Sequence, residues 1–160
     1  MNRLTGMGAR AQMIGLGAAS LALVAMAFGF EAAGFRPCEL CILQRWPHAI
    51  AGAIGLIALV MARPPRALAV LGLGVMLVSL GLGIYHSGVE WHLWAGPSAC
   101  TGGGNLTQMS TRDLLDQIMA APMVRCDQPA LTIFGTTMAN WNAVASGLLA
   151  ALWARAAVAR

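Results

Sequence analysis

The chain has 160 residues, 58% of them hydrophobic and only 10% charged, with a mean hydropathy of +0.69. That is too little polar surface to cover a soluble globule, so a polytopic membrane protein is expected. Ten arginines without a lysine, against six carboxylates, give a net charge of +4. The basic residues are spread along the chain beside apolar stretches rather than gathered into a nucleic-acid-binding patch.

Four apolar stretches approach the roughly 20 residues that a helix needs to cross a bilayer. They cover about 12–33, 42–62, 66–87 and 137–157. The expected fold is a four-helix transmembrane bundle forming a single integral membrane domain over 1–160. The first stretch, preceded by Arg3 and Arg10, exceeds a secretory signal core and is read as a retained helix. Between the second and third, Arg63-Pro64-Pro65-Arg66 restricts the backbone to a tight antiparallel turn.

Basic residues flanking spans stay on the cytoplasmic side. With both termini inside, Arg3, Arg10, Arg63, Arg66, Arg155 and Arg160 are cytoplasmic. The opposite face then takes loops 34–41 and 88–136, every acidic residue and all four cysteines, in a compartment where disulfides persist. Trp46, Trp91, Trp94 and Trp141 would belt that outer interface, and Trp153 the inner one. Within the long loop, Ser110 or Thr111 could cap a short helix carrying Leu114, Leu115, Ile118 and Met119 on one face. Such a helix is expected to lie in the membrane interface and keep Cys100 and Cys126 near the lipid surface.

The chemistry concentrates in Pro37-Cys38-Glu39-Leu40-Cys41-Ile42-Leu43-Gln44-Arg45-Trp46-Pro47-His48. C-x-x-C spacing serves redox pairs, zinc sites and haem attachment alike. Ile42 stands where haem attachment wants His, and Cys100 and Cys126 are not a close second pair for zinc, so no metal is expected and a redox pair is favoured. Cys41 falls in the first turn of a span, where free backbone N–H groups favour a thiolate. Arg45 and His48 follow at i+4 and i+7 on the same face. A guanidinium beside a thiolate suits a lipid-soluble acceptor whose carbonyl oxygen gains negative charge. The plainer readings are a lipid-anchoring arginine and a helix-packing histidine.

These residues resemble the disulfide bond formation protein B family of bacterial inner-membrane thiol:quinone oxidoreductases. The resemblance continues through Tyr85-His86-Ser87-Gly88-Val89-Glu90, Trp94-Ala95-Gly96-Pro97-Ser98-Ala99-Cys100, Val124-Arg125-Cys126-Asp127 and Met138-Ala139-Asn140-Trp141-Asn142. It implies that Cys100 receives electrons from a reduced DsbA-like periplasmic oxidase, with Cys126 as its partner. Cys38 would exchange with that pair, and Cys41 would face the quinone, ubiquinone or menaquinone, supported by Arg45. His86 falls near a family histidine of the quinone site, with His92 a second candidate, and His48 is carried as a further cofactor contact. Glu90 recurs in the pattern without a role. The rivals are a paralogue dedicated to one substrate, a vitamin K epoxide reductase-like enzyme, whose C-x-x-C lies near a late span, and a non-enzymatic protein stapled by disulfides.

Overall fold

The structure is a computed structural model that describes residues 8–97, 110, 112, 115, 119 and 124–159. Its four long helices are α1 (Ala9–Ala32), α2 (Glu39–Val60), α3 (Arg66–Glu90) and α4 (Met138–Val158), with a hairpin, β1 (Thr132–Ile133) and β2 (Thr136–Thr137), just before α4. The expected spans therefore appear with ends moved by a few residues. The first three helices are long and apolar enough to cross a membrane, which makes this a multi-pass membrane protein. In α4, of 21 residues, the apolar run is diluted by Asn140, Asn142 and Arg155. One of those polar residues is used inside the bundle, as shown below.

Local chemistry sets the helix ends. Cys38 is the N-cap of α2, its backbone extended and its sulfur accepting from Cys41 N–H at 3.3 Å. Glu39 in the first turn complements the helix dipole. Thr137 caps α4 by accepting from Asn140 N–H at 3.4 Å. Pro65 delivers the chain into α3 from extended backbone, as the double-proline turn predicts. At the end of α2, Arg10 of α1 donates to the Ala58 and Leu59 carbonyls at 3.2 and 2.9 Å, satisfying two oxygens that the helix leaves open.

Small residues let the helices approach. A Cβ on Gly17 would sit 2.5 Å from Gly55 Cα, so the backbones of α1 and α2 touch there. Gly72 of α3 makes room for the Trp153 ring, which a Cβ would meet at 2.5 Å. This corrects one expectation: Trp153 is fully buried in the apolar core with Met13, Ile54, Ala58 and Met76, and is not an interfacial anchor. Trp46, Trp91, Trp94 and Trp141 are exposed, as an interfacial belt requires. α3 also runs one turn beyond its expected end, and that turn carries Glu90. Of the expected loop helix, Arg112, Leu115 and Met119 are helical and exposed and Ser110 is exposed and non-helical; the other residues lie outside the described ones.

Candidate functional site

Cys38 and Cys41 meet across the first turn of α2 with their sulfurs 2.9 Å apart, both as free thiols. Cys38 donates to the Cys41 sulfur. That hydrogen bond, and burial after it, push the Cys38 thiol well above the ordinary thiol range. Cys38 therefore holds its proton tightly and donates it in a hydrogen bond to the Cys41 sulfur. Cys126 is fully buried beside them in one cluster with Cys38, Leu40 and Val89, and it is disulfide-bonded. Cys100 lies outside the described residues.

The two sulfurs border different openings. Cys41 lines a cavity of about 450 Å³ with Arg45, His48, His86, Phe30 of α1 and Phe134 of the hairpin. Cys38 borders a second depression with Glu31, Arg36, Glu39 and Val124. The cavity beside Cys41 is overwhelmingly apolar, its walls including Leu23, Met26 and Ile133. Its polar lining is confined to a few side chains, among them Gln44, Arg45, His48, His86 and Asn142, an arrangement typical of a small-molecule site.

Arg45 donates to Glu31 Oε2 at 2.7 Å and stands 4.6 Å over the Phe28 ring, so its charge is shared with α1 while it lines the cavity. His48 is buried, facing Asn142 Oδ1 at 2.9 Å, and Ser79 and Ser146 at 3.3 and 3.4 Å. His86 is buried with Nε2 3.6 Å from Cys38 Sγ and 3.8 Å from Glu90 Oε1, and it hydrogen-bonds to the Cys126 backbone. Of the two histidines weighed from the sequence, His86 lines the cavity beside Cys41. His92 sits in left-handed backbone just past α3, with φ 56°, and lines neither opening.

Sequence reasoning passed over several residues that complete the site. Gln44 bridges His86 Nδ1 at 2.7 Å and Asn142 at 2.6 Å, so an unbroken polar chain runs His86–Gln44–Asn142–His48–Ser79–Ser146 through the bundle. A signal existed: polar residues inside apolar spans are costly and face the interior when they occur. Glu90 is buried against His86 and bonded to Thr137, and its Oε2 has no partner among the described residues. The hairpin was not expected at all. Its two-residue turn puts Phe134 and Gly135 at φ 53° and 75°, the geometry of a type I′ turn, and leaves Phe134 94% exposed at the cavity rim.

Three donor atoms, from Cys38, Cys41 and His86, lie within 4.8 Å of one another. Two thiolates on one zinc ion at about 2.3 Å each would stand about 3.8 Å apart. The observed 2.9 Å is closer than that spacing.

A dithiol at a helix N-terminus beside an apolar cavity, with a disulfide-bonded cysteine in contact, suits a membrane protein of thiol–disulfide exchange. The comparisons agree. The family profile described as Disulfide bond formation protein DsbB matches residues 9–156. The chain belongs to this family. It is 31% identical to the Disulfide bond formation protein B of Albidiferax ferrireducens, over 85% of this chain and 84% of that protein. It is also 28% identical to an uncharacterized protein of Rickettsia prowazekii, over 68% of this chain, and spans 63% of that relative's length. No solved structure matches.

Proposed function

We propose that the protein reoxidises a DsbA-like periplasmic dithiol oxidase and passes the two electrons to a membrane quinone, ubiquinone or menaquinone. The observation that carries this reading is the split exposure of the dithiol, with Cys41 on an apolar cavity and Cys38 on the side of disulfide-bonded Cys126. Cys100 and Cys126 form the pair that takes electrons from the partner, and Cys38 and Cys41 the pair that gives them up. In the final step Cys38 and Cys41 would give up two electrons and two protons and join as a disulfide, and a bound quinone would supply the acceptor for both. A bound quinone supplies an acceptor that returns to lipid after reduction. Quinone drives the last transfer because DsbA is itself a strong oxidant, at about −120 mV.

The cavity residues fit such a group. It is large and apolar enough for a ring with an isoprenoid root, and His48, which lines it, has a buried Nδ1 without a partner among the described residues. Cys41 would lie against the ring, Arg45 would donate to the carbonyl oxygen that gains charge, and His48 and His86 would bound the polar end. Phe30 and Phe134 would flank the tail. The arginine distribution supports an inner-membrane bundle with both termini cytoplasmic and the site on the periplasmic side. A paralogue dedicated to one partner would use the same four sulfurs.

The test is reconstitution in detergent with a reduced DsbA-like protein and ubiquinone, following quinone absorbance. Turnover is expected, and its absence would sink the proposal. Cys41→Ala and Cys100→Ala should each abolish it; turnover that survives either change would refute the relay.

A further inference from the structure

The buried polar chain has a direction, and it is anchored by one backbone carbonyl. Gln44 Nε2 lies 3.2 Å from the Leu40 carbonyl oxygen, which only accepts, so that end of the amide is the NH₂. The same nitrogen faces His86 Nδ1 at 2.7 Å, so Nδ1 accepts and carries no proton. A neutral His86 ring then holds its proton on Nε2. On the other side Gln44 Oε1 accepts from Asn142 Nδ2 at 2.6 Å. This leaves Asn142 Oδ1 to accept from His48 Nε2–H at 2.9 Å. Every N–H in the chain points from His48 towards His86, and the last one, on His86 Nε2, is shared among the Cys126 backbone oxygen, Cys38 Sγ at 3.6 Å and Glu90 Oε1 at 3.8 Å.

We infer that Gln44, held by the Leu40 carbonyl and backed by Asn142 and His48, is a positioning residue that fixes His86 as an Nε2–H donor to the Cys38 sulfur. Cys38 needs that donor whenever it carries charge. In thiol–disulfide exchange the Cys38 S–H bond breaks, the sulfur bonds to a disulfide sulfur, and the leaving sulfur departs with the electron pair and takes up the proton. Run backwards, Cys38 is the leaving sulfur, and a leaving thiolate departs faster when it is stabilised. His86 Nε2–H and the Cys41 backbone N–H, the latter at 3.3 Å, give it two donors. Without Gln44 no other hydrogen bond to Nδ1 among the described residues holds the ring in this tautomer, and in the other one a nitrogen lone pair would face the sulfur.

This inference rests on the reading that Cys38 undergoes exchange, but its test uses no quinone, so its failure and that of the acceptor proposal are separable. In ¹⁵N-histidine-labelled protein in micelles, His86 should show Nε2 protonated and Nδ1 bare; a protonated Nδ1 in the unmodified protein would overturn the inference. Gln44→Met should bring a protonated Nδ1 population into view, and an unchanged spectrum would also overturn it. The functional readout is the rate at which dithiothreitol reduces the Cys38–Cys41 disulfide. His86→Phe should slow it about tenfold, the effect of one hydrogen bond to a charged group. Gln44→Met should slow it severalfold when His86 is present and not when His86 is Phe. Equal slowing in both backgrounds would mean that Gln44 acts through packing and would refute the positioning role.

Discussion

The two halves of the bundle are built on opposite rules. The half near Arg10 and Arg155 is dry: Met13, Ile54, Met76 and Trp153 fill it, and Gly17, Gly55 and Gly72 let backbones and rings touch. The half near Cys38 holds the cysteines, two histidines, Gln44, Asn142 and Glu90, most of them buried and joined by hydrogen bonds. Close apolar packing holds the helices in register at one end, so that the other can carry polar groups that contribute little net stability of their own. Stability and chemistry are therefore separable by position.

That separation can be broken or sharpened by experiment. The largest effect is expected from Gly17→Val, whose side chain would have to enter the backbone of α2 at Gly55. Overpacking of this kind costs about 1–3 kcal/mol or more, read as a lower unfolding midpoint in detergent, while the molecules still folded keep normal turnover. A loss of turnover at unchanged stability would put chemistry in the dry half. Next is thiol selectivity. Because the Cys38 thiol is held above its ordinary range, it stays protonated as pH rises past that range, and it is also buried. Iodoacetamide at neutral pH should label Cys41 more than tenfold faster than Cys38, as counted by mass spectrometry of peptides. Equal labelling would remove the assigned proton.

Smaller again is Arg45→Ala. It should raise the apparent KM for quinone about tenfold, near 1.4 kcal/mol, with little change in KM for the protein partner. An unchanged quinone dependence would return Arg45 to anchoring against Glu31 and Phe28. The smallest effect is expected at the surface pair of Arg125 and Asp127. The Arg125 guanidinium holds the Asp127 carboxyl below its usual range, so the pair stabilises above the ordinary carboxylate pKa and is lost as pH falls through the lowered value. Solvent screens it, so Asp127→Asn should barely lower the melting temperature at pH 7 and leave it unchanged in acid.

What the sequence conveyed was largely local. Apolar runs located the helices within a few residues, and the C-x-x-C with Arg45 marked the site before any fold was known. Relations across the bundle stayed hidden. The Gln44–Asn142 bond joins residues 98 positions apart, and neither residue type in isolation announces it. Trp153 matched an interfacial anchor by position near a helix end, and only the groove opened by Gly72 shows why it is buried. Glu90 carried no legible role because the turn that holds it lies beyond the apolar run, where hydropathy no longer marks helix.

The cavity beside Cys41 takes part of its wall from Leu23, Val24, Met26 and Ala27, residues in the middle and outer turns of a membrane-crossing helix. On the proposed function, a quinone that reaches the sulfur from that side arrives dissolved in lipid, and the concentration that matters is its mole fraction among lipids. An assay that adds lipid or detergent at fixed total quinone should slow the reaction by dilution alone, so affinities quoted per litre of water will vary with the amphiphile used. Two preparations of this protein are comparable only when their two-dimensional concentrations are matched.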